Sequence, residues 1–350
     1  MSEGGGPKLV LLGGGTGSFA LLPGLKKLTT NVTAIVSMSD DGSSTGVLRD
    51  ELGVLPPGDV RQCLAALSNI PEVRDLFSYR FSKGRLKGHS LGNIIIAGLE
   101  LQYDNFEEAI RVAGELLNIT GRVVPVTLER HRLMMRDGWR TIRGEGRIDH
   151  YAIKRPNPKV WLEPEARINP AARQAIMDAD MVVIAPGSIY TSLLALFLVE
   201  GVSEAMRQTR ARIVSVTNLV NEHGQTRDWH VTDYVRKLES YLGPGVIDVA
   251  LYNNQPITDK LLKRYAAEGE YPVRIDPEGF VGVHARTIGA RLVSRDIIHQ
   301  DPADTAARRA FIRHDADAVC EQLQKLLVVG AEHPPEAVDN LAAEGALVDG

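Results

Sequence analysis

Short apolar runs alternate with longer amphipathic segments along most of the chain. The runs are nearly continuous, as expected for parallel strands that helices cover on both faces. The predicted strands are Leu9–Leu12, Val32–Met38, Met181–Ala185, Ile213–Thr217, Ile247–Tyr252 and Leu292–Ser294. The predicted helices are Leu21–Leu28, Val60–Ser68, Leu91–Leu101, Phe106–Leu117, Ser192–Met206, Val231–Tyr241, Lys260–Ala267 and Ala316–Leu327. This alternation predicts an α/β fold with a doubly wound, mainly parallel, Rossmann-like sheet.

Residues 121–165 depart from this alternation. Arg122–Leu128, Trp139–Arg143 and Lys159–Leu162 have the pattern of short strands, with turn signals at Asp137-Gly138 and Gly144–Gly146. We therefore predict a β-rich insertion within a single domain of residues 8–327. Residues 1–7 are predicted to be flexible. Residues 328–350 are rich in Ala, Glu, Gly and Pro and are predicted to be disordered.

The composition narrows the class of protein. The 350 residues are 44% hydrophobic and carry a formal net charge of −4, which gives no sign of a nucleic-acid-binding surface. No apolar run approaches the roughly 20 residues of a membrane-spanning helix. The first residues lack the basic and apolar segments of a signal peptide. Cys63 and Cys320 lie in helical patterns and are expected to pack as small hydrophobes. We expect a cytoplasmic protein without a nucleic-acid partner or membrane insertion.

The first apolar run leads into a glycine-rich turn. Gly15, Gly17 and Ala20 fit G-x-G-x-x-A, in which glycine leaves room for a phosphate at a helix N-terminus. The alternative is a turn where backbone passes close to backbone, and the pattern by itself favours neither. An NAD-dependent oxidoreductase would rest on this loop alone. The candidate phosphate contacts are Gly14, Gly15, Thr16 and Gly17.

Carboxylates follow at the next strand end and in a later loop. Asp40 and Asp41 could orient a ribose, hold a divalent cation such as Mg²⁺ or act as a base, or they could form a turn that caps a helix. Asp59, in Pro56–Arg61, is either a helix N-cap or a second carboxylate that shares a cation with Asp41. In the loop after Val32–Met38, the candidate contacts are Asp40, Asp41, Gly42, Ser43 and Ser44.

Four further segments carry polar candidates. Ser90 fits a helix N-cap, with His89 and Asn93 four residues apart on one face. A second anion-type loop after Met181–Ala185 could offer backbone N–H groups and hydroxyls to a phosphate. Amides at two other strand ends suit a base or a sugar, although turns also favour them. The candidates in the loop and at these strand ends are Gly187, Ser188, Tyr190, Thr191, Asn218 and Asn253.

Five of these segments, in order, carry a family resemblance. They are Gly-Gly-Gly-Thr-Gly (13–17), Ser-Asp-Asp-Gly-Ser-Ser-Thr-Gly (39–46), Pro-Pro-Gly-Asp-Val-Arg (56–61), Gly-His-Ser-Leu-Gly-Asn (88–93) and Ala-Pro-Gly-Ser-Ile-Tyr-Thr-Ser (185–192). Together they resemble the gluconeogenesis-factor (YvcK-like) branch of the CofD-like superfamily, over residues 8–327.

The resemblance implies a cytoplasmic bacterial protein that binds UDP-sugars, notably UDP-N-acetylglucosamine, and supports cell shape and cell-wall synthesis on gluconeogenic carbon sources. It also implies ligand contacts from a C-terminal tyrosine and an arginine. Arg313 fits the arginine, and Tyr265 is our choice for the tyrosine, with Tyr271 close enough to leave both open. A homo-oligomer, a protein kinase and cell-wall synthesis proteins are candidate partners.

The sister branch supplies the alternative function. Its 2-phospho-L-lactate transferases move a phospholactyl group from a nucleotide diphosphate donor to a deazaflavin, using a divalent cation. Their carboxylates would fall on Asp41 and Asp59 here, which makes these two the candidate metal ligands and catalytic residues. The Ser/Gly-rich continuation after Asp41 and the Pro-Pro-Gly-Asp corner depart from the transferase pattern. The resemblance therefore leaves open whether the protein is an enzyme.

Overall fold

A computed structural model describes residues 6–267, 269–276, 278–294 and 313–332. The strands are β1 (Leu9–Gly13), β2 (Val32–Val36), β3 (Arg122–Pro125), β4 (Arg132–Asp137), β5 (Arg140–Arg143), β6 (Lys159–Glu163), β7 (Met181–Ile184), β8 (Arg212–Val216), β9 (Val220–Asn221), β10 (Val249–Asn253), β11 (Tyr271–Pro272) and β12 (Arg286–Ala290). The helices are α1 (Gly15–Leu28), α2 (Ser43–Leu52), α3 (Gly58–Leu67), α4 (Pro71–Ser78), α5 (Leu91–Tyr103), α6 (Phe106–Leu116), α7 (Glu145–Asp149), α8 (Pro170–Met177), α9 (Leu194–Phe197), α10 (Val202–Gln208), α11 (Val231–Leu242), α12 (Asp259–Ala266) and α13 (Ala316–Glu332). A π-helical turn at Ile189–Leu193 precedes α9, and a 3₁₀ turn lies at Glu278–Phe280.

A seven-stranded parallel sheet forms the centre of the molecule. Its strand order is β12-β10-β8-β7-β1-β2-β3, and every neighbouring pair is parallel. All residues of β1, β2 and β7 are buried, because helices cover both faces of the sheet. Helix α1 buries Leu21, Leu22 and Leu25. The predicted doubly wound α/β fold is confirmed.

Two smaller sheets flank this core. β4, β5 and β6 form an antiparallel sheet in the order β5-β4-β6, and β9 pairs with β11. Leu133 and Met135 of β4 are fully buried and belong to the main hydrophobic core. The three-stranded sheet therefore packs on the α/β unit through one apolar face.

Several element predictions were wrong in detail. Arg122–Pro125 extends the main sheet beyond β2, so it does not belong with the antiparallel strands. The last strand of the sheet is Arg286–Ala290; at the predicted Leu292–Ser294, only Val293 makes an isolated bridge, to His314. The predicted helix Ser192–Met206 is interrupted, because Gly201 takes a left-handed conformation and starts α10.

Helix bounds also differ at both ends of the chain. α1 begins at Gly15, so the glycine turn is itself the first helical turn. α2 was missed because its polar, glycine-containing start has the composition of a loop. α13 continues past Leu327 to Glu332. Residues 1–5 and 333–350, which hold most of the predicted flexible segments, lie outside the described residues.

Candidate functional site

The candidate site lies where the direction of winding changes. From β1 the chain proceeds to β2 and β3 on one side, and it later adds β7, β8, β10 and β12 on the other side. The loops that follow β1 and β7 therefore lie side by side at the carboxyl edge of the sheet, where the strand order reverses. This switch point is where open α/β sheets bind their ligands.

The glycine turn after β1 is packed tightly against other loops. A Cβ on Gly17 would lie 1.7 Å from the carbonyl oxygen of Pro186, and one on Gly15 would lie 2.6 Å from Oδ1 of Asp59. The N–H of Gly15 donates to the Asp59 carboxylate. Thr16 is exposed, and its Oγ1 donates to Oε1 of Gln62 at 3.4 Å. The glycines thus permit close packing of backbone against protein atoms.

Asp59 faces a neighbouring carboxylate. α3 begins at Gly58, so Asp59 is its second residue and the predicted N-cap role was wrong. Burial and the charge of Asp40 raise the pKa of Asp59 to about 7. Burial also raises the pKa of Asp40, whose carboxylate accepts hydrogen bonds from Gly42 N–H at 2.9 Å and from Thr45. Gly58 leaves room for the Asp40 carboxylate, because a Cβ at residue 58 would lie 2.2 Å from Oδ2 of Asp40.

Asp41 points the other way, toward the antiparallel sheet. Its Oδ1 accepts from Gly146 N–H at 2.8 Å, and its Oδ2 lies 3.9 Å from Arg49 and 3.7 Å from Arg132. Asp41 is therefore already bonded and charge-compensated. Asp40, not Asp41, is the acidic residue whose charge raises the pKa of Asp59.

Glu145 is a carboxylate that sequence reasoning missed. It begins α7, and burial together with Asp40, Asp149, Asp59 and Asp41 raises its pKa well above the usual range. Nothing in the sequence signalled it, because Gly144-Glu145-Gly146 has the composition of an ordinary turn. α7 brings this residue from the antiparallel sheet to the edge of the main sheet.

Polar residues behind the carboxylates form a connected network. His89 Nδ1 lies 3.0 Å from Ser44 Oγ, and Asn93 donates to Ser44 Oγ at 3.3 Å and accepts from Arg61 Nε at 3.0 Å. Ser90 caps α5 by accepting from Asn93 N–H, as predicted. These contacts hold α2, α3 and α5 together below the loop.

Gly42 and Ser43 lie at the start of α2. Gly42 is its N-cap and gives its N–H to Asp40. Ser43 is exposed and has a φ of 40°, a left-handed value that costs energy in a residue with a side chain. Such strain is common where a loop is shaped for a ligand.

The loop after β7 carries buried hydroxyls without partners. The Asn218 amide brackets the Gly187 peptide, accepting from its N–H and donating to its carbonyl, both at 2.9 Å. Ser188 Oγ and Thr191 Oγ1 are buried and lack hydrogen-bond partners in the described structure. Tyr190 is buried beside the Lys237 ammonium, 5.2 Å from its ring centre, and burial raises its pKa to about 12. Asn218 thus fixes the loop, and the two hydroxyl oxygens are buried polar groups that no protein partner in the described structure satisfies.

A cavity of about 380 Å³ continues the edge beyond β8. Asn253 lines it, but its side chain is bonded to the backbone of Gln255 and Leu292. Another cavity, of about 440 Å³, lies between α6 and the start of β3, away from the carboxyl edge. The smaller cavity is in the position expected for a ligand. It is lined by Asn218, Leu219, Val231, Tyr252, Asn253, Asn254, Gln255, Pro256, Ile257, Leu262, Pro272, Val273 and Ile275.

The C-terminal candidates lie near this cavity. Tyr265 is only 2% exposed and packs against Leu219, whereas Tyr271 is 50% exposed. His314 Nε2 lies 3.1 Å from the carbonyl oxygen of Thr217, which brings the adjacent Arg313 to the end of β8. Burial of Tyr265 means that its ring is covered by protein, so Tyr271 is the more accessible of the two.

The described residues contain no group of three or more His, Cys, Asp or Glu side chains arranged to hold a metal ion. In the same part of the chain, no helix has both the length and the apolarity needed to cross a membrane. The paired oxygens of Asp40 and Asp59 still suit Mg²⁺, which is often held by two carboxylates and the phosphates of its substrate.

Known proteins resemble this chain in sequence and in fold. The 2-phospho-L-lactate transferase CofD family matches residues 9–298. The gluconeogenesis factor of Bacillus subtilis is 38% identical over 329 residues, which cover 92% of this chain and 98% of that protein. The gluconeogenesis factor of Listeria innocua is 36% identical and covers 93% and 98%. A crystal structure of a UPF0052-family protein from Bacillus halodurans has a TM-score of 0.81 at 34% identity, covering 90% of this chain and 98% of that one. The chain therefore belongs to the CofD family and, within it, to the gluconeogenesis factors.

Proposed function

We propose that this protein binds a UDP-sugar, with UDP-N-acetylglucosamine as the first candidate, in the cleft along the carboxyl edge of its sheet. In this proposal it acts in the cytoplasm and supports cell shape and cell-wall synthesis on gluconeogenic carbon sources. The observation that carries the proposal is that the loops after β1, β2 and β7 and the cavity at the ends of β8 and β10 lie along the carboxyl edge of one sheet, where Asn218 lines the cavity and bonds the Gly187 peptide.

The two ends of the ligand would meet different chemistry. Among the described residues, nothing bonds the buried hydroxyl oxygens of Ser188 and Thr191, and such groups gain most from a bound phosphate. The cavity beyond them offers apolar side chains and the amide of Asn254, which suit a base or a sugar. Arg313 and Tyr271 are the candidates for contacts at its rim.

A divalent cation fits the carboxylate side of the cleft. Asp40 and Asp59 would hold Mg²⁺ together with the diphosphate, and the cation would neutralise the phosphate charge beside the acidic loops. Asp41 would act indirectly, by positioning the 144–146 loop through Gly146 N–H.

Calorimetry tests the binding proposal. UDP-N-acetylglucosamine is titrated into the protein in the presence of Mg²⁺, and we expect saturable heat. The double variant Ser188→Ala, Thr191→Val should weaken binding about tenfold or more, because each hydroxyl bond to a charged group contributes about 1.5–3 kcal/mol. Thr141→Val, which removes an exposed hydroxyl from β5, is the matched control. Absence of heat with the unaltered protein would refute the proposal.

The second candidate function is phospholactyl transfer, which the raised pKa values of Asp40 and Asp59 favour. A carboxyl group that titrates near neutral pH suits proton transfer from an acceptor hydroxyl. Asp59→Asn should then abolish product formation from a deazaflavin acceptor while the fold persists. Absence of product from the unaltered protein with both GTP- and UDP-linked donors would exclude this function.

A homo-oligomer and partners among protein kinases and cell-wall synthesis proteins remain predictions from the family resemblance. Size-exclusion chromatography with light scattering would test the first of these.

A further inference from the structure

The β4–β5 hairpin ends in a turn that exposes a tryptophan. Gly138 and Trp139 connect the two strands, and Gly138 has a φ of 64°, as tight two-residue turns require. The Trp139 side chain is 89% exposed, more than any other large hydrophobic residue in the described part of the chain. The indole therefore does not pack in the core.

The turn is held in a fixed position. Asp137 is buried, and its Oδ2 accepts from the Tyr151 hydroxyl at 3.0 Å and from Lys154 N–H at 2.6 Å. The Arg155 side chain lies against Gly138, with Nε 2.9 Å from where a Cβ would be. Trp139 is therefore presented on a rigid support, which lowers the entropic cost of using it in an interface.

Unpaired cations surround this turn. Residues 130–159 contain nine Lys or Arg and three Asp or Glu, although the whole chain has a net charge of −4. Arg136 lies directly opposite Lys159 in the sheet, and like charges in that position destabilise a strand pair. In the described structure, none of the exposed cations near the turn has an acidic partner. They are Arg136, Arg140, Arg143, Lys154, Arg155 and Lys159.

These features favour one kind of partner. Binding of single-stranded nucleic acid uses several stacking aromatic rings along a groove. Here the Tyr151 ring is already covered by Arg140, at 5.5 Å, and Trp161 is half-buried. A single indole at an apex, surrounded by cations, instead matches the interface of an anionic bilayer, where Trp lies at headgroup level and Lys and Arg meet the lipid charge.

We propose that the β4–β5 hairpin docks peripherally on an anionic lipid bilayer, with Trp139 in the headgroup region and the six cations over the lipid phosphates. The proposal does not depend on the ligand of the cleft. The residues that carry this proposal, at the hairpin tip, are not among the residues assigned to the cleft.

Sedimentation with lipid vesicles tests this proposal. The full chain is mixed at low salt with phosphatidylcholine vesicles that contain or lack phosphatidylglycerol, and bound protein is measured. We expect at least tenfold stronger binding to the anionic vesicles, and a loss of that binding at high salt because the charges are screened. The fluorescence of Trp139 should shift to shorter wavelength only in the bound state.

Variants distinguish binding through the β4–β5 hairpin from binding through the rest of the protein surface. Each neutralised cation should weaken binding about fivefold, so Arg136→Gln combined with Lys159→Gln should reduce it at least tenfold. Trp139→Ala should abolish the fluorescence shift and weaken binding. Arg210→Gln and Leu101→Ala alter an exposed cation and an exposed apolar residue elsewhere and should bind normally.

Three results would overturn the proposal. The first is no binding to anionic vesicles at low salt, and the second is binding that these tip variants leave unchanged. The third is binding of a single-stranded oligodeoxythymidine that the tip variants abolish while vesicles are not bound, which would assign the face to nucleic acid.

Discussion

The ionised carboxylate of Asp59 costs the folded state free energy. Its pKa is raised to about 7, whereas an Asp in an unfolded chain has a pKa of about 3.9. The folded state therefore holds the proton more tightly, and stability is lost as the pH rises from about 4 through 7. Asp59→Asn removes that loss, so we expect its melting temperature to exceed that of the unaltered protein by roughly 2–4 °C at pH 8, and by less at pH 5.

Asp41 is expected to affect stability in the opposite direction to Asp59, because the Asp41 carboxylate is bonded in the folded state. Asp41→Ala removes the acceptor of Gly146 N–H and the negative charge beside Arg49 and Arg132. We expect a loss of about 1–3 kcal/mol of stability. Circular dichroism melts of Asp41→Ala and Asp59→Asn at pH 8 test the two opposite expectations. A higher melting temperature for Asp41→Ala, or a lower one for Asp59→Asn, would contradict them.

His314 changes the pH dependence of stability in the opposite direction to Asp59. Burial lowers its pKa to about 4, below the usual 6.5, and its neutral ring pairs with the Thr217 carbonyl. The unfolded chain takes up the proton first, so stability is lost as the pH falls from about 6.5 through 4. At pH 5 this loss is about 2 kcal/mol.

We therefore expect His314→Gln to lose less stability than the unaltered protein when the pH falls from 7.5 to about 5. Urea unfolding at both pH values measures the difference. Thr141→Val, at an exposed residue that does not titrate, should behave like the unaltered protein. Equal acid sensitivity of His314→Gln and the unaltered protein would exclude a buried neutral histidine at this position.

The roles of some single residues could be predicted from the sequence, and those of others could not. Ser90 could be assigned as a helix cap, because capping depends on local sequence. The orientations of Asp40 and Asp41 could not, since they depend on Gly58 and Gly146, which come from distant parts of the chain. The choice between Tyr265 and Tyr271 also depended on the fold. Tyr265 is buried because it packs against Leu219, and Tyr271 is exposed.

At the scale of elements, the glycine turn joins two loops that meet at the switch point. Gly17 has no room for a side chain because the Pro186 carbonyl oxygen occupies that space. We expect Gly17→Ala to cost about 3 kcal/mol or more, since backbone on both sides must move. Gly98 lies in α5 with nothing near its Cβ position, so Gly98→Ala should gain about 0.5–1 kcal/mol. Urea unfolding measures both, and an unchanged Gly17→Ala would mean that the loops do not touch.

Strands were predictable from sequence where both faces are covered. β1, β2 and β7 are continuous apolar runs, and all were found. β4 was missed because Arg132 and Arg136 interrupt its run, with charged residues facing outward and Leu133 and Met135 facing the core. β12 was misplaced because it is an edge strand with only partly buried residues.

At the scale of the whole molecule, the cleft combines an acidic side with a candidate phosphate loop. The charge of Asp40 raises the pKa of Asp59, and the charges of both raise the pKa of Glu145, so these carboxylates act on a common region. A diphosphate brought beside them would be repelled unless a cation lay between the two. Sequence motifs located the loops after β1, β2, β7, β8 and β10, but the charge of this edge became clear only when α7 brought Glu145 into place.

The proposed UDP-sugar binding should therefore depend on Mg²⁺. We expect calorimetric affinity for UDP-N-acetylglucosamine at pH 8 to fall by about tenfold or more when EDTA replaces Mg²⁺, a change of about 1.4 kcal/mol or more. Asp59→Asn should show a smaller dependence, because it removes both a candidate Mg²⁺ ligand and a repulsive charge. Uridine, which has no phosphate, should show none. Equal affinity of the unaltered protein in Mg²⁺ and in EDTA would exclude a cation bridge, whereas absence of binding in both would exclude the UDP-sugar itself.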